Sequence, residues 1–135
     1  MHEDQLRTPS GLAIAANGDI IIADTGNQRL QTFSSDGQVL ATWGGIGTDS
    51  QLFRTPADVA IDPEGRVYVT DASNNRVVIL DDHGRFLATW GQVGSDPGQF
   101  VSPTGITLDA DGQVYVAEHG NNRVQAFRLL PPFDS

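Results

Sequence analysis

The stretch DASNNRV, Asp71 to Val77, recurs along the chain: DTGNQRL, Asp24 to Leu30, stands 47 residues before it, and EHGNNRV, Glu118 to Val124, 47 residues after it. An acid, an Asn three residues on, an Arg five residues on and then an aliphatic residue keep this interval through a chain of 135 residues. The same shift aligns Pro9, Pro56 and Pro103, and also Gly18, Gly65 and Gly112; two copies share LATWG, at Leu40–Gly44 and Leu87–Gly91. Roughly a third of the positions match between the first two copies with no insertion, which marks an array of homologous repeats.

Within a copy, short aliphatic and β-branched runs alternate with turn chemistry: DVAID, PEG, RVYVT, DASNN, RVVIL, DDHG and RFLATW in the second. That is four strands of about five residues joined by hairpins. Gly18, Gly65 and Gly112 supply positive φ in the first hairpin, and Gly37 and Gly84 in the third. Runs such as RVYVT are apolar at nearly every position, so the sheets are covered on both faces. A four-stranded antiparallel sheet packed front and back by its own copies is a propeller blade. Asp71 is placed at a strand end, where its carboxylate can accept N–H groups of the turn. Asn74 is expected to take left-handed φ and Arg76 to return to the acid. The same roles fall to Asp24 and Arg29 and to Glu118, Asn121 and Arg123, with the longer Glu118 arm expected to loosen the third staple.

The pattern Pro-x-Gly-Val-Ala…Gly-x-Val-Tyr-Val-x-Asp-x-x-Asn-x-Arg-Val…Gly-x-Phe is carried by PADVAIDPEGRVYVTDASNNRVVIL, Pro56–Leu80, and by GQF, Gly98–Phe100. It resembles the NHL repeat family over essentially the whole chain. The resemblance implies an all-β propeller, most often six-bladed, whose second-to-third-strand loops and inter-blade loops crowd one face around a central channel. One domain, 1–135, is expected, with blades at residues 9–47, 56–94 and 103–130. Where the third copy should carry its second turn glycine, Pro131 and Pro132 stand instead, so its outer strand is missing and eleven strands are expected. Three blades are too few for a closed ring. A homodimer forming a six-bladed ring is therefore expected, whether the chain is a natural, an excised or a designed half-propeller.

Composition narrows the function classes. Eight Lys and Arg against seventeen Asp and Glu give a net charge of −9, which repels phosphate backbones and anionic lipid, so neither nucleic acid nor membrane is an expected partner. The absence of cysteine excludes disulfides, thiolate metal sites and a Cys nucleophile. The N-terminal MHEDQLRTPSG has neither a basic region nor an apolar one, and no apolar run approaches about 18 residues. A soluble, cytoplasmic protein is the default expectation.

Two departures from the repeat are candidates for chemistry. His119 occupies the loop between second and third strands where the other copies carry Thr25 and Ala72; by the resemblance this loop faces the channel mouth, making all three candidate binding residues. Asp58 stands where the flanking copies have Gly11 and Gly105, at the start of the innermost strand. Related six-bladed enzymes hold calcium near this level, and two Asp58 side chains across a dimer would form a small acidic site; turn capping is the alternative role. A hard cation wants about six oxygens, and the sequence has no ring of them. No Ser–His–Asp arrangement or phosphate-binding glycine loop can be assembled. The expected function is thus a non-catalytic binding or scaffold module without a cofactor, offering its channel face to a small molecule, peptide or protein. The alternative is a lyase- or lactonase-type enzyme with calcium or another divalent ion at the channel, held by Asp58 and His119.

Overall fold

The computed structural model describes residues 5–45 and 53–129. Its strands form three antiparallel sheets stacked in chain order. The first runs β1 (Pro9–Ile14), β2 (Ile20–Asp24), β3 (Arg29–Phe33) and β4 (Val39–Gly44), in that spatial order. The second repeats it with β5 (Pro56–Ile61), β6 (Val67–Asp71), β7 (Arg76–Leu80) and β8 (Phe86–Trp90). The third holds β9 (Pro103–Leu108), β10 (Val114–Glu118) and β11 (Arg123–Phe127), three strands among the described residues. The prolines at 131 and 132 lie outside those residues. No helix among them is long and apolar enough to cross a membrane.

Each hairpin between the first two strands closes as its sequence directs. The Asp62 carboxylate accepts the N–H groups of Glu64 and Arg66 at 3.0 and 2.9 Å, and Asp109 does the same for Asp111 and Gln113 at 2.9 Å each. The following glycines take φ of 92°, 85° and 83° at Gly18, Gly65 and Gly112, where a Cβ would be strained.

Alternation along the strands decides which copy each side chain meets. Ala13, Ile21, Ala23 and Leu30 of the first sheet pack on Val59, Val67, Val69, Val78 and Leu80 of the second. The opposite face of the second sheet, with Ala60, Tyr68, Val77 and Ile79, packs on Ile106, Val114 and Val116 of the third. Two fully buried phenylalanines seal these seams from the connecting segments. Phe53 lies against Gly44, and Phe100 lies so close to Gly91 that a Cβ there would come within 2.5 Å of its ring. Phe100 also meets Phe127 edge to face, with ring centres 5.8 Å apart.

The recurring acid does something other than cap its own turn. Neither Asp24 nor Asp71 makes a capping hydrogen bond to the short 3-10 turn that follows it. The alternation that sends Val67 and Val69 toward the first sheet sends Asp71 there as well, onto the chain entering its blade. Asp71 accepts the backbone N–H of Thr55 at 2.8 Å and of Arg54 at 3.1 Å; Asp24 accepts that of Arg7 at 2.7 Å, and Glu118 that of Val101 at 3.1 Å. The left-handed residue is Asn75, with φ of 52°, rather than Asn74, and Gln28 and Asn122 take its place in the other copies. Asn74 donates its side-chain amide to Asp71 at 2.8 Å, as Asn27 does to Asp24 and Asn121 to Glu118. Arg29, Arg76 and Arg123 do return to their acids, at 2.7, 3.5 and 2.6 Å.

The third staple is therefore not the loosened one. The longer Glu118 arm reaches the Gln125 side-chain amide as well, at 2.8 Å, while Arg123 ties on to the carbonyls of Ser95, Asp96 and Gln99 at 2.7, 3.3 and 2.8 Å. Burial, the largest single influence on Glu118, pushes its pKa up. The Arg123, Asn121, Gln125 and Val101 donors together outweigh it and hold the carboxyl below its usual value.

Two outcomes follow for stability, both read from denaturant melts. Phe100→Ala should cost about 3–5 kcal/mol as a large core truncation, whereas Val93→Ala, at 66% exposure, should stay within about 0.5 kcal/mol. Glu118→Ala should cost at least as much as Asp71→Ala, each about 1.5–3 kcal/mol for lost charged hydrogen bonds. Because the folded pKa of Glu118 lies below its unfolded 4.5, its contribution is present above that value and is lost as pH falls through the folded pKa. The gap between wild type and Glu118→Gln should accordingly close in acid; a gap unchanged down to the acid transition would contradict the assigned role.

Candidate functional site

The innermost strands β1, β5 and β9 stand side by side and line a shallow cavity of about 280 Å³. Asp58 is the only acid on its wall among the described residues, the remainder being aliphatic or Thr107. Its carboxylate is already engaged. One oxygen accepts the N–H of Val59 at 2.9 Å, and the other accepts that of Ile106, on the next blade, at 3.1 Å. Asp58 is thus a tie between two blades. Gly11 makes this possible, since a Cβ there would lie 2.8 Å from the Asp58 Cα. Burial raises the Asp58 pKa, and the two backbone donors pull it partly back.

The second-to-third-strand loops dock on the segments leading into their blades. The N–H of Gly26 donates to the Arg7 carbonyl at 2.8 Å, that of Ala72 to Thr55 at 2.9 Å, and that of His119 to Ser102 at 3.0 Å. Thr25 donates its hydroxyl to the Pro56 carbonyl at 2.7 Å, and Ser10 donates to the Ala57 carbonyl at 2.6 Å, so both tie the first blade to the second. Ala72 is buried beneath its loop. Of the three residues expected at the channel mouth, Thr25 and Ala72 are taken up by packing, and the exposed His119 is left facing solvent.

Within one chain these residues supply a single carboxylate toward a hard cation. Asp58 gives both oxygens to backbone donors where calcium takes about six oxygen ligands. Among the described residues, no three His, Asp or Glu side chains are grouped so as to hold a metal ion.

Sequence reading passed over a second set of acids. The Tyr68 hydroxyl donates to Asp62 at 2.9 Å, with Arg66 on the same oxygen at 2.7 Å, and Tyr115 donates to Asp109 at 3.0 Å. Burial first, and then the Asp62 hydrogen bond, raise the Tyr68 pKa far above its ordinary value. The 47-residue register carried the signal: Asp62 and Asp109 correspond to Ala15, and Tyr68 and Tyr115 correspond to Ile21.

Comparison with known proteins agrees with this architecture. The NHL repeat profile matches residues 6–33, 53–80 and 100–127, more than half of the chain. Protein brain tumor of Drosophila melanogaster is 47% identical over 51 residues, 37% of this chain and 5% of that protein. The B-box type zinc finger protein ncl-1 of Caenorhabditis elegans is 47% identical over 36 residues, 27% of this chain and 4% of that one. The chain thus spans a small fraction of the curated relatives it matches. Among solved structures, a protein of unknown function from Bacteroides thetaiotaomicron superposes with a TM-score of 0.78 at 20% identity, covering 90% of this chain and 36% of the other. A virginiamycin B lyase from Staphylococcus aureus, solved with quinupristin, gives 0.63 at 19% identity, covering 93% and 42%. These last likenesses speak to the fold alone. Three profile matches at the repeat interval, on three stacked blades joined by the same staple, place the chain in the NHL repeat family.

Proposed function

We propose that this chain is a non-catalytic binding or scaffold module, and that two copies close head to tail into a six-bladed ring. One observation carries the reading: the two outward faces of the stack are the two halves of a seam that the chain already makes twice. Every blade turns one set of residues forward and another backward. The forward set is Ala13, Ile21 and Leu30 in the first blade, Ala60, Tyr68 and Val77 in the second, and Thr107, Tyr115 and Val124 in the third. The backward set is Leu12, Ile14 and Ile22, then Val59, Ile61 and Val69, then Ile106, Leu108 and Val116. Forward meets backward at both internal seams. The sets left over are the backward face of the first blade and the forward face of the third. Leu12 and Ile14 are accordingly 60% and 64% exposed, and Val124 is 65% exposed.

The third blade's three described strands, with about six residues of rise, give a face near 15 by 20 Å, so two junctions bury about 1,200 Å² in projection, at the lower end of stable interfaces. Twofold symmetry relates the two junctions and closes the ring. A non-catalytic role is favoured because Asp58, the acid on the channel wall, is spent on backbone donors. The lyase- or lactonase-type alternative, with a divalent ion held by Asp58 and His119, draws no grouped metal ligands in its favour among the described residues. Ligands of the ring are a small molecule, peptide or protein. The charge of −9 disfavours nucleic acid and anionic membranes.

Light scattering on a sizing column at low micromolar concentration should give one species of twice the 14.5 kDa chain mass; a folded, soluble monomer there overturns the reading. Ile14→Glu and Val124→Glu, on opposite faces of the stack, should each shift the species toward monomer. If only one of them does, the copies associate through like faces and no six-bladed ring forms.

A further inference from the structure

The two internal seams are not equally filled, and the difference makes a pocket. Between the second and third blades the Tyr68 ring, 3% exposed, occupies the space near the first hairpins and anchors on Asp62. The corresponding positions at the seam between the first and second blades are Ile21 for Tyr68, Thr32 for Ile79 and Ala15 for Asp62. Each is smaller. A cleft of about 580 Å³ opens there, within the size range of small-molecule pockets. It lies at the opposite end of the strands from the acid staples, among the hairpin turns.

The walls of the cleft are apolar and one of them is aromatic. Ile21, Ile61 and Leu40 line it together with Trp43, whose indole is fixed from outside by Gly84: a Cβ at that glycine would fall 2.5 Å from three of its ring atoms. The rim is acidic. Asp19, Glu64 and Asp82 stand around it, the latter two 68% and 65% exposed at their side chains. The basic side chains nearby are engaged. Arg66 holds Asp62 at 2.7 Å and leans on Glu64 at 3.3 Å, and His83 lies 3.6 Å from Asp82.

We infer that this cleft binds a small organic cation, a protonated amine carrying an aromatic body. The ring takes the volume that Tyr68 fills at the next seam, beside the indole of Trp43, and the ammonium sits among the rim carboxylates and over the aromatic face. Both lining blades belong to one chain, so the site is independent of ring closure and its failure would leave the assembly reading untouched.

The test uses the full chain, nitrogen-15 labelled, with the Trp43 indole N–H and the Ala15 and Ile21 amides as reporters. The probes are 2-phenylethylammonium, the neutral 2-phenylethanol and the anion 3-phenylpropionate. The ammonium should shift these signals saturably and bind about tenfold or more tighter than the anion. Ala15→Asp with Ile21→Tyr rebuilds the pair found in the second blade and fills the cleft, so it should abolish the shifts while the remaining spectrum keeps its dispersion. Asp19→Asn with Glu64→Gln and Asp82→Asn changes only the rim and should weaken the ammonium while leaving the alcohol unaffected. This rim variant decides the matter if the filled variant fails to fold. Equal binding of ammonium and anion, ammonium affinity undiminished in the rim variant, undiminished binding by a folded filled variant, or no saturable shift would each overturn the proposal.

Discussion

The fold turns on one constraint: a carboxylate buried at the end of each second strand must be surrounded by donors. Asp24 and Asp71 are fully buried, and Glu118 is 3% exposed. A bare charge in such a place is untenable, and the donors that satisfy it come from three directions. The incoming backbone supplies N–H groups, the turn supplies an Asn amide, and the third strand supplies an Arg guanidinium. Fixing these fixes where the chain enters a blade, how the loop folds over it and how the third strand starts. The loops between second and third strands inherit their positions from this single point, which explains why Thr25 and Ala72 are structural members of it.

The blades were legible in the sequence to the level of their hairpins. The repeat interval, the turn glycines and the two-faced apolar runs are local signals, and each hairpin forms where they put it. What was not legible depends on contacts between segments well apart in the sequence. Asp71 points across to the lead-in of its own blade because strand alternation continues to the last residue, a fact invisible when the turn is read alone. Glu118 tightens its corner because Gln125, on the third strand of its blade, lies within reach of the longer arm. Asp58, at a position that is glycine in both flanking copies, finds its partner on the following blade at Ile106. Phe100 was visible as part of a pattern and Phe53 was not, and the role of both as seals exists only between sheets.

Divergence among the copies falls on both faces. The backward faces keep aliphatic residues on their second strands, Ile22, Val69 and Val116 for example, but carry Gln31 and Gln125 where the second blade has Val78; the forward faces set Ile21 against two tyrosines, and Gly11 and Gly105 against an acid. Each seam thus takes on its own hydrogen bonds, such as Asp58 to Ile106, or leaves space. The stack is regular in backbone and individual at each junction.

The phenylalanine seals also decide what counts as a folding unit. Phe53 and Phe100 belong to the segment leading into one blade, yet they close over the end of the blade before it, at Gly44 and Gly91. A blade is therefore completed by its successor, and the cooperative element runs past the blade's last strand into the segment that leads to the next blade. In a linear array governed by nearest-neighbour coupling, this makes the coupling term large relative to the intrinsic stability of one blade. Unfolding should then take the blades together, with no isolated blade persisting.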